Sequence, residues 1–157
     1  MVRRSDQEYM EEALAEARRA VDIGEVPVGA VVVSAEGEIL ARSHNRRQID
    51  MDPTAHAELI AMREAAKALG DWRLEGCTVY VTLEPCPMCA GTMVLSRIAR
   101  CVYGCMDPKA GFLGSLSDLS HGYGLNHEFE VTSGVMADEC SEILRSFFRD
   151  LRAKRRK

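Results

Sequence analysis

The stretch GCTVYVTLEPCPMCAG, residues 76–91, is the most informative part of the chain for the fold, because a predicted strand is followed directly by a predicted helix. Its first half is rich in Val, Thr and Tyr, which favours a β-strand. Pro87 suits the first position of a helix, which is predicted to run to about Arg97. Cys86 and Cys89 therefore lie three residues apart at the N-terminal edge of this helix, and this spacing places both sulfurs on one face.

Helices and strands are predicted to alternate along the rest of the chain. The Ser5–Glu8 capping box and Gly24 bound the first helix, and Gly70 and Pro53 bracket the second. The predicted strands cover 26–33, 39–43, 76–83, 99–103 and 129–132, and the predicted helices cover 6–23, 55–69, 87–97 and 137–154. Five strands interleaved with helices predict an α/β domain with a mixed sheet. Since no repeat or linker is present, residues 1–157 are predicted to form a single domain.

The composition indicates a globular protein, with 46% hydrophobic and 28% charged residues in 157. No apolar run approaches the roughly 20 residues of a membrane span. The N-terminal MVRRSDQEYM lacks the apolar region of a signal peptide, so we expect a cytoplasmic protein with no membrane contact. In that compartment the six cysteines are expected to be reduced, which argues against a disulfide between Cys86 and Cys89.

The C-terminal segment 145–157 is strongly basic. Its seven Arg and Lys residues face only Asp150, so the segment carries a net charge of +6 and the rest of the chain −10. Two interpretations are open from charge alone. The segment contacts a polyanion, or it is a solvated helix end whose cations favour the negative pole of the helix dipole.

The two thiols can supply half of a zinc site. Zinc requires four ligands, so at least one more must come from another part of the chain. The stretch AHAEL, residues 55–59, offers His56 as a third ligand at the start of another helix, with Glu58 facing whatever the metal binds. One His and two Cys leave the fourth position open, as in a catalytic zinc site. The alternatives are a redox dithiol, or a buried histidine and two buried cysteines without metal.

This arrangement predicts a hydrolytic reaction. Zinc lowers the pKa of a bound water from about 15.7 toward 7, so hydroxide forms at neutral pH. Glu58 can accept the proton of that water and pass it to a ring nitrogen of the substrate. Attack at an amidine-like ring carbon that bears an amino group then releases ammonia.

The residues HAE and PCPMC resemble the H-x-E…P-C-x-x-C signature of the zinc-dependent nucleoside and nucleobase deaminases. Longer segments resemble the bacterial tRNA-specific adenosine deaminases, and the similarity covers roughly residues 6–153. These segments are EVPVGAVVV, HNRR, DPTAHAELIAMREA, GDWRLEGCTVYVTLEPCPMCAGTMVLSRI, MDPKAGFLGSL and NHEFEVTSGVMADECSEILRSFFRDLR.

The resemblance implies a three-layer α/β/α, cytidine-deaminase-like fold with a central five-stranded mixed sheet. It implies a homodimer with one Zn²⁺ per subunit that acts on the anticodon stem-loop of tRNA. The implied reaction converts adenosine to inosine at the wobble position, chiefly of an arginine tRNA. A zinc-bound hydroxide attacks C6 of a flipped-out adenine, with Glu58 as proton shuttle.

The resemblance also implies roles for individual residues. The zinc ligands are His56, Cys86 and Cys89, and the base pocket is formed by Asn45, with Val28, Gly29 and Pro85 nearby as further substrate-binding residues. Contacts to RNA come from Asp107, Lys109, Phe148 and Arg149. Cys105 departs from the family, in which a small residue such as Ala is common at this position.

Two other functions compete with this prediction. The first is a deaminase of a free base or nucleotide, such as guanine, cytosine, dCMP or a riboflavin precursor, since these enzymes share the zinc motif. The second is an RNA-binding module with a structural zinc and no catalysis. Glu58 argues against the second, because a structural site has no need of a carboxylate beside an open ligand position.

Overall fold

Helices and strands alternate along residues 3–156, the part of the chain that the computed structural model describes. Met1, Val2 and Lys157, the last residue of the basic segment, lie outside the described residues. The elements in chain order are α1 Asp6–Asp22, β1 Gly29–Val33, β2 Ile39–His44, α2 Ala57–Leu69, β3 Thr78–Leu83, α3 Pro87–Leu95, β4 Arg100–Cys105, β5 Glu130–Thr132 and α4 Ala137–Arg155. The predicted α/β class is confirmed.

The five strands form one mixed sheet in the order β2-β1-β3-β4-β5. β1 pairs antiparallel with β2 and β3, whereas β3, β4 and β5 run parallel. The register places Gly29 opposite His44 and Leu83 beside Cys105. Consequently the start of β1 and the ends of β2, β3 and β4 lie along the same edge of the sheet, and the loops that leave this edge can meet.

The sheet is covered on both faces, which confirms the three-layer prediction. One core packs α1 and α4 against the sheet through Tyr9, Leu14, Val31 and Tyr80. The other core packs α2 and α3 against the opposite face through residues that include Val32, Val79, Val81, Met62 and Met93. Adjacent Val31 and Val32 belong to different cores because successive strand residues point to opposite faces.

Local chemistry explains where several elements begin and end. The Ser5 hydroxyl accepts a hydrogen bond from the Glu8 N–H, and the Glu8 carboxylate accepts one from the Ser5 N–H, so α1 starts at the predicted capping box. The first strand begins at Gly29 instead of the predicted Val26, because Pro27 has no N–H to offer a neighbouring strand. None of the helices in residues 3–156 combines the length and apolarity that crossing a membrane requires.

Candidate active site

Two helix N-termini supply the predicted metal ligands. His56 is the N-cap of α2, and Cys86 is the N-cap of α3, with Pro87 in the first helical turn as expected. Both N-cap residues have an extended backbone, whereas Cys89 lies one turn into α3. Helix N-termini carry partial positive charge, which favours the thiolate form of a cysteine at that position.

The three predicted ligands are close enough to hold one zinc ion. His56 Nδ1 lies 3.5 Å from Cys86 Sγ and 3.6 Å from Cys89 Sγ. Zinc bound at about 2.0–2.1 Å to nitrogen and about 2.3 Å to sulfur in tetrahedral geometry separates those two atoms by about 3.6 Å. Within residues 3–156 this is the one cluster of three metal-ligating side chains, and its donor set and spacing fit zinc.

The electrostatics of the cluster favour the thiolate form of Cys86, whereas the hydrogen bond to Cys86 and burial raise the pKa of Cys89. A hydrogen bond from the Cys89 thiol lowers the pKa of Cys86 to about 4, and His56 contributes a further hydrogen bond in the same direction. The contact with Cys86 also raises the pKa of His56. A thiolate is the form that coordinates zinc, so the contacts with Cys89 and His56 favour the form of Cys86 that binds the metal.

Glu58 lies beside this cluster and is 4% exposed. Burial raises its pKa to about 7, while the nearby His56 acts in the opposite direction. A carboxyl group with a pKa near neutrality can both accept and release a proton during turnover. The group therefore has the protonation chemistry that the predicted proton shuttle requires.

A cavity of about 220 Å³, which we call the metal cavity, opens next to His56 and Cys86. Six of the predicted site residues line it, namely Val28, Asn45, His56, Glu58, Cys86 and Asp107. The Asn45 amide is held by its Nδ2, which donates to the Val26 carbonyl at 3.3 Å, and by its Oδ1, which accepts from the Arg47 N–H at 3.2 Å. One further donor hydrogen and one acceptor lone pair of this amide stay available to a ligand.

Two residues expected in the base pocket do not line this cavity. Gly29 faces α1, where a Cβ atom would lie 1.9 Å from the Ala13 carbonyl oxygen, so the glycine allows the helix to approach the sheet. The Pro85 carbonyl group accepts a hydrogen bond from the Phe112 N–H at 2.9 Å, so this residue is bonded to the chain that follows β4. The cavity also has wall residues that sequence reasoning missed, namely Val26, Arg47, Ala57, Leu83, Glu84 and Ala110.

The other three predicted contacts lie in a separate surface groove of about 550 Å³. We call it the basic groove; it is lined by Cys105, Met106, Lys109, Ser141, Leu144, Arg145, Phe148, Arg149 and Arg152. Phe148 is 40% exposed and packs edge-on against Phe147. Arg145 and Arg149 both form ion pairs with Glu142, at 3.1 and 3.4 Å.

Cys105 ends β4 at the base of this groove. It packs with Cys140 in the core under α4, and burial raises its pKa to about 11. Its thiol donates to the Thr82 carbonyl at 3.5 Å. Cys105 is therefore a packed thiol at neutral pH, and Cys77, Cys101 and Cys140 are buried as well.

Residues 3–105 match the family model for the cytidine and deoxycytidylate deaminase zinc-binding region. Together with the three-layer fold and the His–Cys–Cys cluster, this match defines a zinc-dependent hydrolytic deaminase.

Relatives at higher identity narrow the family. The chain is 54% identical over 151 residues to the tRNA-specific adenosine deaminase of Bacillus subtilis. This alignment covers 96% of this chain and 93% of the relative. A solved structure from a study of A-to-I editing by tRNA:A34 deaminases at the wobble position of transfer RNA is 46% identical, with a TM-score of 0.83 over 87% of this chain and 99% of the other. The chain belongs to the tRNA-specific adenosine deaminases.

A guanine deaminase from Nitrosomonas europaea shares the fold. Its TM-score is 0.80 at 22% identity, over 94% of this chain and 86% of the other. At this identity the likeness extends to the fold alone. The fold therefore does not by itself separate the nucleic-acid and free-base deaminases.

Proposed function

We propose that this deaminase converts adenosine to inosine at the wobble position of a tRNA anticodon. The observation that carries the proposal is the loop 106–115, which connects the two candidate binding regions. Its Asp107 lines the metal cavity, and its Lys109 lines the basic groove. A substrate that fills both regions has a base to place in the cavity and phosphates to place in the groove.

The cavity size favours a single base over a larger ligand. Pockets that bury a drug-sized molecule measure about 300–1,000 Å³, whereas this one holds about 220 Å³. A base within a nucleic acid must therefore leave its stack to enter, which is less costly in an anticodon loop than in a duplex. The free amide hydrogen and lone pair of Asn45 can meet the donor and acceptor edge of that base.

His56, Cys86 and Cys89 hold the zinc in this proposal, and Glu58 moves the protons. When bound, zinc supplies a Lewis acid that makes water nucleophilic near neutral pH. Glu58 accepts a proton from the attacking water and delivers it to a ring nitrogen of adenine. It then accepts the remaining proton of the added hydroxyl group and delivers it to the departing amino group, so that adenosine and water give inosine and ammonia. The pKa of about 7 that burial gives Glu58 suits both transfers.

The basic groove supplies affinity for RNA. Lys109, Arg149 and Arg152 offer charge to the phosphates, and the exposed ring of Phe148 offers a stacking surface for a loop base. The basic residues between 145 and 155 extend this charge along α4, which favours the polyanion interpretation of the C-terminal sequence. By resemblance to the family, an arginine tRNA is the main substrate.

We also propose that residues 1–157 act as one domain and that two copies form a homodimer in the cytoplasm. The homodimer is proposed from the resemblance to the family. Light scattering coupled to size-exclusion chromatography tests the mass of the assembly. A dimer mass is the expected result, and a monomer at micromolar concentration contradicts the homodimer.

The test of the function is inosine formation on an anticodon stem-loop with adenosine at the wobble position. Inosine is measured by mass spectrometry of digested nucleosides. The matched controls are the same stem-loop with the adenosine moved to the next anticodon position, free guanine and free dCMP. Inosine from the first substrate alone is the expected outcome. Turnover of guanine or dCMP, without turnover of the stem-loop, contradicts the proposal and establishes a free-base or nucleotide deaminase.

A further inference from the structure

We infer that Glu84 is a positioning residue, whose carboxylate fixes the loop 106–115 against the metal-binding turn and so sets the affinity for RNA. This inference rests on the proposed function, because the loop carries Asp107 and Lys109. Glu84 follows β3 directly and stands two residues before Cys86. It is 2% exposed, which is unusual for a glutamate without a structural partner.

The hydrogen-bond donors to the Glu84 carboxylate all belong to the loop. Oε1 accepts a hydrogen bond from the Asp107 N–H at 2.9 Å and another from the Ser115 hydroxyl. Oε2 accepts from the N–H groups of Leu113 at 3.1 Å and Ser115 at 2.9 Å. Four donors from three residues therefore converge on one carboxylate, and both ends of the loop are tied to it.

The backbone around Glu84 reinforces the same connection. Its own N–H donates to the Cys105 carbonyl at 2.9 Å, which continues the pairing of β3 with β4 to the start of the loop. Gly111 passes directly over the carboxylate, since a Cβ atom there would lie 2.2 Å from Glu84 Cδ. A residue with a side chain at 111 would push the loop away from Glu84.

The loop conformation that Glu84 holds is the one that presents its functional residues. Asp107 Oδ1 accepts from the N–H groups of Lys109 and Ala110, at 3.0 and 3.2 Å, and so forms a tight turn. That turn places Asp107 on the cavity wall and Lys109 on the groove wall. Glu84 forms part of the cavity wall, but the four hydrogen bonds that its carboxylate accepts all come from the loop, so we assign it a positioning role that acts through the loop.

The variant Glu84→Gln tests the inference, because an amide cannot replace this carboxylate in either orientation. In one orientation the NH₂ group would face the N–H groups of Leu113 and Ser115, and in the other it would face the Asp107 N–H, so at least one backbone donor loses its acceptor either way. We expect KM and Kd for the stem-loop to rise at least about tenfold, with kcat within about threefold and one zinc per subunit retained. Hydrogen exchange of the amides of Asp107, Leu113 and Ser115 should become faster, and this readout requires neither metal nor substrate.

Glu25→Gln is the matched control. Glu25 is also 2% exposed, but its two hydrogen bonds, from the Gln48 and Ile49 N–H groups, both reach Oε2. The amide oxygen of a glutamine can keep both bonds in one orientation. The control loses the same buried charge, and its KM should stay within about twofold of the wild type.

Several outcomes overturn the inference. Unchanged KM and unchanged amide exchange in Glu84→Gln do so, as does loss of zinc with kcat reduced and KM unaltered. If Glu84→Gln does not fold, Gly111→Ala decides, since it displaces the loop without altering Glu84: a KM raised about tenfold supports the inference and an unaltered KM overturns it. Wild-type protein that forms no inosine from the stem-loop contradicts the proposed function alone, because the exchange measurement still reports on Glu84.

Discussion

The metal cavity and the basic groove differ in how the protein holds their side chains. In the cavity, Glu58, Asn45 and Glu84 are each at most 5% exposed, and hydrogen bonds to the backbone orient the last two. In the groove, the Arg149 side chain is 62% exposed and is held by an ion pair with exposed Glu142. Catalysis therefore depends on preorganised buried groups, whereas affinity depends on exposed charges that salt can screen.

The largest effect is expected in the cavity, at a zinc ligand. Cys86→Ala removes one of three protein ligands, so zinc and activity should be lost together. Cys105→Ala, which changes a packed thiol outside the cluster, is the control and should retain zinc. Metal analysis of both purified proteins checks this, and a Cys86→Ala protein with one tightly bound zinc per subunit contradicts the assigned ligand.

The next effect separates proton transfer from metal binding within the same cavity. Glu58→Gln preserves volume but removes the acid–base group, so kcat should fall by about 10²–10⁴ with zinc content unchanged. Glu64→Ala, at an exposed glutamate of the same helix, should leave kcat unaltered. Single-turnover rates on a saturating stem-loop measure the change. Full activity in Glu58→Gln would remove the carboxylate from the mechanism.

A smaller effect is expected in the basic groove. Arg149→Ala removes one exposed charge, so Kd should rise by about twofold to tenfold and the salt slope of log Kd should fall by about one. Because the groove lies outside the cavity, kcat at saturating RNA should not change. Arg4→Ala is the control, since Arg4 lies beside the start of α1, near the opposite edge of the sheet. Equal salt slopes for Arg149→Ala and wild type would exclude a phosphate contact.

The smallest effect concerns an ion pair outside both regions. Arg100, at the start of β4, donates two hydrogen bonds to Asp6, and the pKa of Asp6 falls below its ordinary 3.8 as a result. A depressed carboxyl pKa stabilises the fold above the unfolded value and loses this contribution as pH falls through the folded value. Asp6→Asn should therefore cost about 0.5–1 kcal/mol at neutral pH, since solvent screens this partly exposed pair, and the difference from wild type should shrink below about pH 4. Urea unfolding across this pH range checks the trend, and a difference that grows toward acid contradicts the sign.

The parts of the site that are built from short motifs are the ones that could be predicted from the sequence. The zinc ligands and Glu58 were predictable because each motif is local: a proline and two cysteines begin one helix, and His56 and Glu58 begin another. The strands were predictable from β-branched runs, apart from the start of β1, where Pro27 interrupts the pattern. These features need only neighbours in sequence.

The missed features depend on the order of strands in the sheet. Glu84 and the loop 106–115 meet because β3 and β4 are parallel neighbours, which no local pattern reveals. The sequence nevertheless contained a signal, a charged residue directly after a buried strand and before a proline, in Leu83-Glu84-Pro85. Gly29 was predicted near the base pocket, but its role in the fold is in packing. Its lack of a side chain allows α1 to approach the sheet.

The most direct test of the account is a zinc titration read out as inosine. Protein treated with a chelator is given zinc in steps, and inosine formation on the wobble-adenosine stem-loop is measured at each step. We expect activity to rise linearly with added zinc and to reach a plateau at one zinc per subunit. Glu58→Gln should bind the same amount of zinc and remain inactive. Undiminished inosine formation by protein from which the metal has been removed would contradict the account.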